Sequence, residues 1–521
     1  MVRVEPAPDD LVITRRTPPR IDDRALAAEI PVQVVDDGEA AHPFVVIGDS
    51  LSHGFKSGAI HDTSLSWPAQ AAAAMGLGPD RFRFPSYDGP TICPGIPLNI
   101  ELLVKLLEEH AGAEAPLLGA HLPVVASAAI HALAEIKDYW EKGDGSQVAS
   151  GQPYMHNLAI YGWDVRDSLS KTARWCREHV TVPSFWDHLK PHLPHLAVSD
   201  NEWRAALRVL VGPLGDDVSQ ITAAQALGED GVGTLIVALG ANNALGAVLG
   251  LALRWTPPDY LDWTADDRLE HKDEYTVWRP AHFAAEYAEL VAAVKQVNAR
   301  HVVLGTVPHV TIAPLLHGFG AKPAGSRYFP RYGRVWISER DFNPNHDQCL
   351  SGDQCRQIDS AIDSYNQTIV GHVREARRQG LDWHVLDICG LLDSLAYRRY
   401  LADPLVDQDV QPYPMPDVLA ALSPRPDTRF FGSDQFGRTQ GGLIALDGVH
   451  PTTVGYGIMA DEVLKVLSIA GVVSPDTRID FEQLIPKDTL VTAPPRTLTE
   501  DMTTLGFLNE HLDAFRSVIE L

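Results

Sequence analysis

Three residues of this chain, Ser50, Asp447 and His450, are of the types that together can cleave an acyl bond. A serine hydroxyl is a poor nucleophile until an adjacent base takes its proton. Histidine, with an unperturbed pKa of roughly 6.5, suits that task. Asp447 lies three positions before His450, close enough to bond the other ring nitrogen, fix its tautomer and stabilise the imidazolium that forms. Asp-x-x-His alone is more often a helix-cap arrangement, so its force comes from its company. Ser50 follows the run Phe44, Val45, Val46, Ile47 and the pair Gly48, Asp49. An apolar run bounded by Gly-Asp reads as a short strand buried on both faces. A serine where such a strand stops points into the crevice at the carboxyl edge of an open α/β sheet, where ligands collect. The simpler alternative is a serine capping the following helix.

Acyl transfer also needs donors aimed at the oxyanion that develops in the tetrahedral intermediate. Gly162 and Asn242 are candidates, with turn glycine and turn asparagine as the plainer readings. The segment Gly48, Asp49, Ser50, Leu51, Ser52 resembles the first block of the GDSL (SGNH) hydrolase family. Segments 157–162, 240–243 and 447–452 resemble its later blocks and follow in the same order. The resemblance implies a flavodoxin-like three-layer α/β/α fold around a parallel sheet of about five strands. It assigns Ser50 as nucleophile, His450 as base and Asp447 as the acid behind it. It assigns the oxyanion hole to the N–H groups of Ser50 and Gly162 and to the Asn242 amide. The implied activity is that of an esterase or lipase acting through an acyl-serine, with no cofactor. An acyltransferase using the same site, and a non-catalytic ligand-binding module, are the alternatives. The chain departs from the family at Asn243, where many members carry Asp, so a carboxylate role there is in doubt.

The elements that would position these residues follow from the pattern of the chain. Apolar strand-like runs near 44–47, 155–160, 234–239, 301–307 and 383–388 alternate with helical patterns near 67–75, 283–297, 359–378 and 454–467. Such alternation implies right-handed crossovers and a parallel sheet. Two amphipathic patterns between 96 and 142 read as core-facing helices. Segment 235–253 has about the length of a membrane span, but Gly240, Asn242 and Asn243 make it strand, turn and helix instead. Residues 1–42 read as an extended arm, 43–474 as the catalytic domain and 475–521 as a Pro-marked linker and a helix near 505–519. Insertions at about 92–150, 244–280, 312–355 and 390–445 elaborate the domain, the last three following carboxyl ends of strands, where they would roof the site.

Leu245 and Leu249, just after Asn242, are the natural wall of a substrate pocket. Trp255, Trp263, Trp278, Tyr328, Phe329, Tyr332 and Trp336 could line that pocket or pack the insertions together.

Composition narrows the partners. The chain has 521 residues, 45% hydrophobic and 21% charged, which are ordinary globular values. Its 43 Lys and Arg against 68 Asp and Glu give a formal charge of −25, which opposes binding to nucleic acid or an anionic membrane. A small-molecule or lipid ester is the expected substrate, with no stable membrane insertion. The amino terminus shows no signal-peptide pattern, so a cytoplasmic location is expected, or a secreted one if a signal has been removed. Five cysteines in so long a chain are no disulfide framework, and Cys349 and Cys355, close in sequence, are expected as free thiols. Asp341, Asn343 and Asn345 open like a calcium loop, but His346 and Gly352 stand where Gly and Glu belong, so no metal is expected.

Overall fold

The computed structural model describes residues 6–13, 27–33, 38–111, 122–148, 151–180, 200–402, 411–498 and Gly506. Four strands form its centre: β1 (His42–Gly48), β2 (Val232–Ala238), β3 (Ala299–Gly305) and β4 (Trp383–Leu386). They pair in parallel in the order β1-β2-β3-β4, with Val46 opposite Ile236 and Ile236 opposite Val303. The run expected as a further strand near 155–160 does not form a regular one. It lies along the outer edge of β1 through a single parallel bridge, Val46 to Asn157, and three hydrogen bonds of 2.8–3.0 Å. One of its carbonyls turns to a side chain: Gln220 Nε2 donates to Leu158 O at 2.7 Å and also to Gly48 O of β1 at 2.8 Å. One glutamine thus fastens this segment to the end of β1.

Alternate residues of each strand enter opposite cores, as a pleat requires. Val45, Leu235 and Val302 pack on one face with helices Gln220–Gly228, Pro280–Val294 and Gly352–Arg378. Phe44, Ile236 and Val303 pack on the other with helices Trp67–Ala74 and Thr453–Ile469. The sheet therefore lies between two layers of helices. Capping explains where several start: Ser66 caps Trp67–Ala74 with Pro68 in its first turn, and Thr452 caps Thr453–Ile469. Helix Gly352–Arg378 begins a full turn and more before the expected position, because Ser351 and Gln354 form a capping box ahead of the apolar periodicity.

The insertion near 92–150 contains helices Ile100–Ala111 and Leu122–Glu141, whose Leu103, Leu107, Ala132 and Ile136 share a separate core with Phe55 and Phe430. Beyond 474 the chain is no free linker. Phe481 and Leu484 are buried, Asp488 accepts the Val454 N–H at 2.9 Å, and Leu498 O accepts from Ser433 N at 2.8 Å. The helix expected near 505–519 and most of the amino-terminal arm fall outside the described residues. The described parts of that arm are laid on the domain: Leu11 and Ala27 are buried, and Arg377 Nε donates to Ile30 O at 2.7 Å.

Candidate active site

β1 ends at Gly48, where a Cβ would stand 2.4 Å from Ser52 Oγ. Only glycine lets the chain turn there into the helix Ser50–His53. Asp49 caps that helix, accepting the Leu51 N–H at 3.1 Å. Burial raises its carboxyl to about 6, against hydrogen bonds and His450, which pull the other way. Ser50 is then the first residue of the helix, its N–H without an intrahelical acceptor.

His450 arrives from the far end of the chain. Its Nε2 lies 2.8 Å from Ser50 Oγ across 400 positions of sequence. The 447–450 loop turns at Gly448, whose φ of +69° and 2.9 Å approach to Leu315 N exclude a side chain. Asp447 Oδ2 lies 3.3 Å from His450 Nδ1, close enough for strong attraction but off line for a hydrogen bond, so Nδ1 has no well-formed partner. Such contacts are often loose before substrate binds. The carboxylate is held by three backbone donors: Gly58 N at 3.0 Å, Val449 N at 2.9 Å and His450 N at 2.8 Å. Burial works to raise the Asp447 carboxyl, but His450 and these N–H groups outweigh it and hold it below the ordinary carboxylate range. Phe55 packs against the imidazole with ring centroids 4.6 Å apart.

The expected oxyanion donors face the same cavity as Ser50 and His450, a space of about 880 Å³. Gly162 has φ +77°, and a Cβ on it would stand 2.8 Å from Glu202 Oε2. Asn242 opens the helix Asn242–Leu249 and donates one amide hydrogen to Trp163 O at 2.8 Å, leaving the second for a substrate. Asn243, the departure from the family pattern, is fully buried, and neither polar atom of its side chain has a hydrogen-bond partner. Sequence reasoning missed what fixes Gly162. Lys272, from the 244–280 insertion, donates to Gly162 O at 2.9 Å and pairs with Asp167 and Asp164. Lys171 bridges Asp167 at 3.2 Å and Glu202 at 3.0 Å. Burial alone would raise Asp167, but these two ammonium groups outweigh it and hold it low. No local signal marks Lys272; only its contact 110 positions away does.

Leu245 lines this cavity and also a second, narrower slot of about 70 Å³ on the other side of Ser50 and His450, whereas Leu249 lines only the first. Of the seven aromatics read as possible pocket residues, Trp278 alone reaches the cavity. The others pack the insertions: Tyr328 donates to Asp359 at 2.8 Å, and the Tyr332 hydroxyl accepts the Phe329 N–H at 3.0 Å. The wall carries Trp175 and Trp203 instead, from a Pro-interrupted stretch that gave no sign of it.

Among the described residues, two further clusters have metal-ligand types within 4.8 Å, His301, Asp382, His384 and His309, Cys389, Asp393. Their atoms serve one another: His301 Nδ1 meets Asp382 at 2.6 Å, and His309 holds Asp393 at 2.9 Å and Asp363 at 3.3 Å. In the calcium-like loop, Asp341 accepts from Ser338 Oγ at 2.6 Å. All five cysteines, Cys349 and Cys355 included, are free thiols. No described helix is long and apolar enough to cross a membrane.

No protein-family model, curated protein or solved structure matches this chain.

Proposed function

We propose that this chain is a serine hydrolase of the GDSL (SGNH) type that cleaves carboxylic esters through an acyl-Ser50 intermediate. The observation that carries the reading is the 2.8 Å contact between Ser50 Oγ and His450 Nε2, in one cavity with Gly162 and Asn242. His450 takes the Ser50 proton as Oγ bonds the ester carbonyl carbon, and the carbonyl oxygen becomes an oxyanion among the Ser50, Gly162 and Asn242 donors. Collapse breaks the bond to the alcohol oxygen, which leaves with the proton from His450. Water, deprotonated by the same imidazole, then releases the acid. Counting the 157–160 segment as a fifth strand outside β1 gives the flavodoxin-like order 2-1-3-4-5, which agrees with this family.

An acyltransferase is the second reading, favoured by the presence of two compartments beside Ser50, one for each partner of a transfer. Incubation with a fluorophosphonate probe tests both together, since either requires an activated serine. Mass spectrometry should find the adduct on Ser50 and none on the Ser50→Ala variant. Hydrolysis of p-nitrophenyl esters with and without an added alcohol then separates water from another acceptor. An unlabelled wild-type protein without esterase activity would end both readings.

A further inference from the structure

Resting on the hydrolase reading, we infer that the substrate is a short-acyl ester of a bulky, uncharged, hydroxyl-rich alcohol of the saccharide class. The acyl group would occupy the narrow slot and the alcohol the wide cavity. The two compartments meet at Ser50 and His450, so the scissile bond sits between them.

The slot is walled by Leu51, Val310, Ile312, Leu392, Ile444 and Val449. His309 also borders it, but Asp393 and Asp363 engage both of its ring nitrogens, so it offers a substrate no free nitrogen. A cavity of about 150 Å³ holds benzene, six carbons. The slot, at about 70 Å³, takes roughly half as many. With the carbonyl carbon outside it at Ser50, that suits an acyl group of about butyryl length.

The wide cavity is mixed, with Phe55, Leu245, Leu249 and Trp278 on its wall beside charged groups. At about 880 Å³ it lies within the usual range for small-molecule sites. Asp164, Glu202, Glu270, Asp273 and Asp447 are on its wall, against the three cations Lys171, Arg254 and Lys272. The two lysines are already paired to carboxylates, and Arg254 donates to the carbonyls of Asp273 and Glu274. A long alkyl chain there would meet the apolar part of the wall but strip water from the charged groups beside it. Hydroxyl groups would donate to the carboxylate oxygens. The acidic lining repels an anionic alcohol such as a phosphate ester. Trp203, half-buried and at right angles to Trp175, supplies an apolar surface for the C–H face of a sugar ring.

The test uses the full-length protein and compares kcat/KM for p-nitrophenyl acetate, butyrate and octanoate, then for an acetylated disaccharide against ethyl acetate. We expect at least a tenfold fall from butyrate to octanoate, and at least a tenfold preference for the disaccharide ester over ethyl acetate. Leu392→Ala should raise the octanoate-to-butyrate ratio several-fold, and Ala313→Phe should lower the butyrate-to-acetate ratio. Trp203→Ala should raise KM for the disaccharide ester more than for ethyl acetate. Labelling of Ser50 together with a preference for octanoate, or with equal use of the two acetate esters, would overturn the assignment of compartments while leaving the hydrolase intact. Failure of Ser50 to label, with no ester cleaved, would instead overturn the hydrolase reading.

Discussion

The imidazole of His53 accepts the Tyr161 N–H at Nδ1, 3.1 Å away, and its Nε2 donates to the Tyr87 hydroxyl at 2.9 Å. The Tyr87 hydroxyl in turn donates to Ala205 O at 2.9 Å, so the tautomer is fixed from both ends. Burial lowers the His53 pKa to about 3, which keeps the ring neutral and Nδ1 free to accept. His53 lies on the helix that Ser50 opens, and Tyr161 precedes Gly162. This bond, with that from Asn157 Nδ2 to Ser52 O at 2.9 Å, ties the helix that bears Ser50 to the turn at Gly162. His53→Phe keeps the bulk and removes the acceptor. A shift of about 1 Å between such groups costs on the order of 100-fold, so kcat should fall 10- to 100-fold with KM changed much less. An equal loss in both, or none, would show that the bond does not position the site.

Ser50→Ala removes one oxygen and should leave the melting temperature within a few degrees of wild type. Turnover should fall on the order of 10⁶-fold, and His450→Ala should match it. Asp447→Asn should be milder, about 10⁴-fold, because the amide oxygen can still accept from Val449 N and His450 N, although Gly58 N loses its acceptor. Near wild-type rates in Ser50→Ala would remove that residue as nucleophile.

Asn242→Ala deletes a donor that acts when the oxyanion forms, so the expected loss is about 10²–10³ in kcat with KM nearly constant. Gly162→Ala should be worse for the fold as well, since alanine at φ +77° is strained and its methyl meets Glu202. Pairing steady-state kinetics with a melt on both variants distinguishes a lost donor from a displaced backbone.

Asp49 gives the protein a pH signature. Its folded pKa is raised from the usual carboxylate value to about 6, so the folded state holds a proton that the unfolded chain releases near pH 4. Its contribution to stability is therefore greatest below pH 4, falls between 4 and 6, and stays low above 6. Asparagine mimics the protonated cap. Asp49→Asn should leave denaturant midpoints unchanged below pH 4 and raise stability by about 2–3 kcal/mol above pH 6. A difference that does not grow across that interval would show that the carboxyl is not desolvated as described.

Much of this architecture could be read from residue order because its strands are unbroken apolar runs. Leu235, Ile236 and Val237 fill both faces of β2 and leave no other assignment. Ser50 stood out at the end of such a run, but it was singled out, with Asp447 and His450, chiefly by the resemblance of their segments to family blocks, and the structure brings all three together. The segment at Asn157 was harder to read: its composition suits a strand, yet only one bridge forms, and Gln220 from another helix satisfies its carbonyl. Lys272 and Trp203 were invisible, because each gains its place only through contacts with distant segments. Trp255 and Tyr332 could be read either way and pack instead of lining the cavity, since a large ring fills the space between insertions as readily as the wall of a cavity.

The 400 positions between Ser50 and His450, and the bond from Val454 N to Asp488, set an order on synthesis. A nascent chain carries the serine, the glycine and the asparagine long before it carries a base. Until residue 488 has left the ribosome, the helix Thr453–Ile469 has only Thr452 at its start and lacks the Asp488 carboxylate that accepts the Val454 N–H. On the proposed mechanism, a chain ended before His450 by premature termination or proteolysis carries the hydroxyl without its base and is silent rather than partly active.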